Sequence, residues 1–281
     1  EAYWKREMKT AKWSIYAVTT WVRRQPPKMK AFLALILCLT TLLFIKMVVH
    51  NYHNLFFASE AVHTLGISIL IFKLIKHKTC SGLSLKSQEL TAMFISVKLY
   101  CNFGMGYHRH TILHFTTLGT TLWVIYMIRF KLKSSYMDNK DNLAIYYVVV
   151  PCAVLSLLIH PTLTRDHSIN SILWAFCIYL ESVSVLPQLR LMQNAKIVEP
   201  FAAHYVFALG VERFLSCAIW ILQVLDSHGR LLTNLGYGIS WPAMVILSEI
   251  VQTFILADFC YYYVKSIVAG QLVLRLPSGV V

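Results

Sequence analysis

Negative charge is scarce in this chain. Only 13 of its 281 residues are Asp or Glu, against 26 Lys and Arg, and charged residues of all kinds make up 14%. A soluble globular domain carries about 25% charged residues, so an ordinary water-facing surface is excluded over most of the length. Paired cysteines are also missing. The seven cysteines are scattered without a C-x-x-C pair and six fall in apolar stretches, which excludes a disulfide framework and leaves them as small apolar fillers. No phosphate-binding loop, H-E-x-x-H or G-x-S-x-G motif occurs, so the common enzymatic signatures are absent. Gly104-x-Gly106 is half of a dinucleotide fingerprint at the edge of an apolar stretch and carries no weight.

What is present is hydrophobicity, at 57% of residues. Eight stretches, 32–49, 57–76, 87–103, 110–129, 144–160, 169–190, 203–223 and 240–264, approach the roughly 20 residues needed to cross about 30 Å of hydrocarbon. Backbone groups in lipid must be satisfied within the segment, so helices are expected. Basic residues alternate between rich and poor connections. Eight precede the first span, four lie around 73–86, four around 129–140, two at 190–196 and two after 264. The other connections hold only Arg109, Arg165 and Arg230. The positive-inside rule then puts both termini in the cytoplasm. The net charge of +13 is a topological signal, and loops this short exclude a nucleic-acid-binding domain.

The first span follows a basic segment of about 30 residues bearing Trp4, Trp13 and Trp21, without a cleavage site after it, and is expected to be a retained anchor. Its basic arm has the composition of a segment lying at lipid headgroups or of a disordered tail. The lumenal connections carry no N-x-S/T acceptor. Ionisable residues inside spans include Glu60, His63, Lys98, Glu181, Glu212, Arg213, Glu249 and Asp258. Each costs roughly 2.5–3.5 kcal/mol near the bilayer centre on insertion scales, so such residues point to function by default. His108, His110 and His114 cluster at one rim; a zinc site there would need further ligands, and solvated loop histidines are the simpler reading.

Several blocks carry a family resemblance: His63-Thr-Leu-Gly66, Lys78-Thr-Cys-Ser-Gly-Leu-Ser-Leu-Lys-Ser-Gln88, Tyr147-Val-Val-Val-Pro151, Ile172-Leu-Trp-Ala-Phe-Cys-Ile-Tyr-Leu-Glu-Ser182, Leu186-Pro-Gln188, His204-Tyr-Val-Phe-Ala-Leu-Gly-Val211, and Val251-Gln-Thr253 with Ala257-Asp-Phe259. Over residues 54–281 the chain resembles the KDEL receptors, the ER lumen protein-retaining receptors. The resemblance implies an all-α fold: a seven-helix core of two three-helix bundles, at 57–129 and 169–264, joined by a linker helix at 144–160, as in sugar-transporting SWEET and other Pro-Gln-loop proteins. Residues 1–53 then form a cytoplasmic basic arm and one extra transmembrane helix. Pro187 is expected to kink the sixth span.

The implied function is capture, favoured at acidic pH, of the C-terminal tetrapeptide that marks ER residents, followed by return from the Golgi to the ER. No enzymatic activity or cofactor is implied; the implied partners are the tetrapeptide, the bilayer and vesicle coat proteins. Carried over by motif, the ligand-binding residues are Arg213, Lys98 (arginine in the family), His63 as pH sensor and Trp174, with Glu181 and Asp258 holding the basic side chains. A histidine with an ordinary value near 6.5 gains charge as a compartment acidifies toward pH 6. The chain departs from the family pattern at Phe56, Cys101, Ser171 and Glu212, where the family has arginine, aspartate, glutamate and tyrosine, and its tail 268–281 lacks the lysine cluster linked to coat capture. Those departures suit a less anionic ligand, so a small-solute carrier or an accessory membrane protein on the same architecture, no longer binding the retention signal, is the alternative expectation.

Overall fold

A computed structural model of the protein describes residues 52–104, 111–161, 168–195, 198–226 and 240–268. The expected span at 32–49, the basic arm before it, His108, His110 and the tail beyond 268 lie outside the described residues. Helices dominate, and no β-strand occurs among the described residues. In chain order they are α1 (Tyr52–Phe72), α2 (Leu85–Gly104), α3 (Thr111–Tyr126), α4 (Tyr146–Leu158), α5 (Ser168–Val183), α6 (Leu186–Asn194), α7 (Pro200–Asp226) and α8 (Ser240–Val268). Single π-helical turns, Lys73–His77 and Met127–Lys131, extend α1 and α3.

Exposure is inverted relative to a water-soluble protein. Leu65, Ile112, Phe115, Phe130, Leu158 and Phe254 are more than half exposed, whereas Ser87, Gln88, Asn102 and Gln252 are buried. Polar groups inside and apolar groups outside suit a chain whose solvent is hydrocarbon. Five helical passes, Ala58–His77, Thr111–Lys131, Ile169–Asn194, Pro200–Asp226 and Trp241–Ile267, are long and apolar enough to cross a bilayer. The protein is an all-helical, polytopic membrane protein.

Two expected spans differ from the others for physical reasons. Helix α2 has the length, at 20 residues, but carries Lys86, Gln88, Glu89, Lys98 and Asn102, because its polar face is turned into the bundle. Helix α4 is apolar but has only 13 residues, about 20 Å of rise. The kink expected from Pro187 is a break: α5 ends at Val183, and Pro187 sits in the first turn of α6, where its missing N–H costs nothing. Since α5 and α6 lie on one pass, the described helices form seven rods.

Their packing relates two triplets, α1–α3 and α5/α6–α8. Helix α1 packs along α7 and α5 along α2; α2 packs on α3, and α7 on α8. The α1–α7 pair is antiparallel, with Ser59 bonded to the Glu212 carbonyl at one end and Lys73 to Glu199 at the other. The α2–α5 pair repeats this, from Ser87 on the Ser184 carbonyl to Cys101 near that of Asn170. Exchanging the triplets preserves these pairings, as expected for parallel repeats separated by an odd linker helix.

The starts of α2 and α7 are also equivalent. Ser84 Oγ accepts the Ser87 N–H at 3.1 Å, and Glu199 Oε2 accepts the Ala202 N–H at 3.0 Å, each a side-chain cap three residues into its helix. The two turns abut. Gly82, at φ +79°, lies where an added Cβ would meet the Glu199 Cβ at 3.2 Å, so the left-handed turn and the close approach both favour glycine. Gln188 ties this end together, donating to the Gly82 carbonyl at 2.7 Å and accepting the Ser84 N–H at 2.8 Å. Lys73, counted by sequence among the connection's basic residues, is fully buried and pairs with Glu199 at 2.6 Å and with the Ser81 carbonyl. Asp141 Oδ2 accepts hydrogen bonds from Ser84 Oγ at 2.9 Å and Tyr136 OH at 2.6 Å. Burial, and then that bond to Asp141, raises the Tyr136 phenol well above its ordinary value.

Candidate ligand-binding site

A partly open cavity of about 120 Å³ lies where the triplets meet, lined from α1, α2, α3, α5, α7 and α8. One wall is polar and uncharged. Thr117, Thr120 and Thr121 recur at helical spacing on α3, and in the same lining Gln88 Nε2 donates to Tyr205 OH at 3.2 Å.

The other wall is a compact ionic cluster. Glu181 accepts from two cations, Arg213 Nη1 at 2.8 Å on Oε1 and Lys98 Nζ at 3.0 Å on Oε2. Glu212 Oε2 stands 3.2 Å from Arg213 Nε and 3.5 Å from His63 Nδ1. The latter contacts have ion-pair distances without hydrogen-bond alignment, since both His63 Nδ1 and Glu212 Oε2 lack a hydrogen-bond partner among the described residues. All five side chains are at most 21% exposed. Gln252 on α8 donates to the Glu181 carbonyl at 3.2 Å. Glu249, one turn earlier, lies in electrostatic reach of Arg213 with its Oε2 buried and unbonded among the described residues.

The helix pairing explains the convergence. Antiparallel packing of α2 on α5 carries Lys98 to Glu181, and α1 on α7 carries His63 to Glu212. Arg213, adjacent to Glu212, reaches across to α5. Burying these charges is costly unless each is paired, and Coulomb attraction strengthens as the dielectric falls.

Of the residues singled out by sequence, Arg213, Lys98, His63 and Glu181 share this cavity. Trp174 does not line it; it packs against the buried cluster containing Tyr179 and Trp241. Asp258 is exposed on α8 and joins no ion pair among the described residues, so Glu181 and Glu212, not Asp258, balance the cations. At the departures, Cys101 and Ser171 are buried, Phe56 is partly buried, and Glu212 lies inside the cluster. His114 lines the cavity, and no group of three metal-ligating residues occurs among the described residues. Sequence reasoning missed the polar wall of Gln88, Tyr205 and the α3 threonines; the threonine spacing on an otherwise apolar span was its available signal.

Comparison with known proteins agrees with this architecture. The family described as ER lumen protein retaining receptor matches residues 79–223. An ER lumen protein-retaining receptor of Entamoeba histolytica is 34% identical over 220 residues, covering 77% of this chain and 96% of that protein. One from Drosophila melanogaster is 34% identical over 231 residues, 80% of this chain and all of the relative. One from Dictyostelium discoideum is 32% identical over 225 residues, 78% and 97% of the two chains. With the matched region spanning α2 to α7 and most of each relative's length covered, the chain belongs to the ER lumen protein-retaining receptor family.

Proposed function

We propose that the protein is a non-enzymatic receptor for C-terminal HDEL- or KDEL-type retention signals, returning escaped lumenal proteins from the Golgi to the ER. The observation that carries this reading is the convergence of Arg213, Lys98 and His63 on one intramembrane cavity. A free chain terminus offers a planar carboxylate, which a guanidinium binds through a two-pronged fork and an ammonium as a point charge. Glu181, bridging Lys98 and Arg213, holds the cations ready and shares them with the arriving terminus. His63, carried over by motif as the pH sensor, lines the same cavity 3.5 Å from Glu212, and capture is taken to be acid-favoured on that ground. The protein resides in ER and Golgi membranes with both termini cytoplasmic; residues 1–53 add the basic arm and one span, and coat proteins read the cytoplasmic face.

The test is binding of a labelled HDEL-ended peptide to purified full-length protein at about pH 6 and pH 7.2, bracketing an ordinary histidine. Acid-favoured binding that Arg213→Ala abolishes is expected. Absence of binding at both values refutes the receptor reading and moves the work to solute uptake. The carrier reading is favoured by one observation: each fixed cation of the cavity already faces a carboxylate.

A further inference from the structure

We infer that the rim where α1 and α8 end and α7 begins is a lipid-headgroup site, taking an inositol phospholipid that carries a phosphomonoester. Its side chains are ones the cavity does not use. The passes Ala58–His77, Pro200–Asp226 and Trp241–Ile267 bring their ends together here, at the boundary of the hydrocarbon. Phe201 is the common neighbour. The His77 ring lies 4.8 Å from it, the Phe72 ring 6.3 Å and the His204 ring 6.4 Å, centroid to centroid. Lys76 Nζ stands 5.0 Å over Phe72, and Lys265 Nζ 5.7 Å over Tyr262. Lys76, His77, His204 and Lys265 are all exposed.

The chemistry of the rim selects the ligand. Lys76 and Lys265 join no ion pair among the described residues, so their charge is open to an incoming anion. Glu199, the acid at the start of α7, is already taken by Lys73 and the Ala202 N–H. Tyr263 OH lies 2.8 Å from His204 Nδ1. A phenol donating to Nδ1 selects the tautomer that keeps its hydrogen on Nε2, a donor available to a ligand. The first turn of α7 adds the positive end of a helix dipole. His77 and His204 share Phe201 but make no ring contact with each other among the described residues, so they suit acceptors at two positions of one headgroup. An inositol ring bearing a phosphodiester and a phosphomonoester has that form. The monoester brings three acceptor oxygens and a charge near −1.5 to −2, more than a serine headgroup offers. Phe72, 46% exposed at the span end, gives the acyl chains an aromatic flank, which favours a lipid over a free phosphate.

The experiment titrates dye-labelled full-length protein in mild detergent with three probes: dioctanoyl phosphatidylinositol monophosphate, dioctanoyl phosphatidylserine and the matching chain-free inositol bisphosphate. The inositol lipid is expected to bind about tenfold or more tighter than either of the others. His77→Ala and His204→Ala should each weaken it about tenfold, the scale of one hydrogen bond to a charged group. The double variant Lys131→Ala/Lys133→Ala removes two exposed charges elsewhere and should change it less than twofold. Equal binding of the serine lipid, or a loss in the Lys131/Lys133 variant as large as in the histidine variants, would reduce the rim to a diffuse basic surface and overturn the inference. Binding of the chain-free headgroup as tight as the lipid overturns it in favour of a soluble phosphate. Should a histidine variant fail to fold, the wild-type ranking of the three probes and the lysine control still decide the matter.

Discussion

Lys73 and Glu199 form the pair whose disruption the structure predicts most sharply. The Lys73 side chain has no solvent exposure, and its ammonium is held by Glu199 Oε2 and the Ser81 carbonyl; Glu199 is 25% exposed and also caps α7 at Ala202. Removing the acid strands a buried cation, whereas removing the lysine leaves an acid that can turn to water. Breaking a buried pair from one side costs about 3–5 kcal/mol. Partial exposure of Glu199 favours the lower end, so Glu199→Gln should cost about 3 kcal/mol. That corresponds to a fall in melting temperature on the order of 10 °C for a protein of this size. Lys73→Met should cost about 1 kcal/mol, because the cap survives and the vacated space is refilled by an apolar chain. The double variant should recover much of the loss, with a coupling of about 2 kcal/mol. Thermal unfolding followed by size-exclusion recovery in detergent measures all four proteins. Equal losses for the two single variants, summing without coupling, would refute a buried charged pair.

Gln188→Leu strands the Gly82 carbonyl and the Ser84 N–H together, and should lower stability by about 2–4 kcal/mol in the same assay. Gly210→Ala places a Cβ 2.3 Å from Cys260 Sγ at the α7–α8 crossing and should cost about 1–3 kcal/mol, with Cys260→Ala restoring most of it. Tyr136 stays protonated in the fold at pH values where a free phenol, with its ordinary value of 10.0, ionises. Since the folded value is raised, its stabilisation is intact below pH 10 and falls as pH rises above it; alkaline melting curves should flatten in Tyr136→Phe.

The apolar passes were legible because hydrocarbon demands continuous hydrophobicity, and α1, α3, α5/α6, α7 and α8 lie where that demand predicts. Helix α2 was drawn as an apolar stretch at 87–103 like the others, although its polar residues dilute that signal. The convergence of Arg213, Lys98, His63 and Glu181 was readable only through the resemblance, because spacing along separate helices says nothing of their rotation. That missing rotation is why Trp174 and Asp258 were grouped with the cavity, although one packs in a neighbouring apolar cluster and the other faces outward. The burial of Lys73 was not legible: the sequence counted it only as one of four basic residues around 73–86, and the π-turn after Phe72 carries it into the turn network.

The position of Glu181 connects architecture to recognition. It lies on the first helix of the second triplet, and its carboxylate takes a cation from the second helix of each triplet: Lys98 from α2 and Arg213 from α7. Exchange of the triplets maps α2 onto α7, so the two cations arrive from equivalent helices and meet on one acid. A carboxylate bridging both basic groups occupies the ground an anionic ligand would seek. On the proposed reading, binding is then an exchange of partners rather than the filling of bare charge, and its strength depends on the difference between resident and incoming carboxylates.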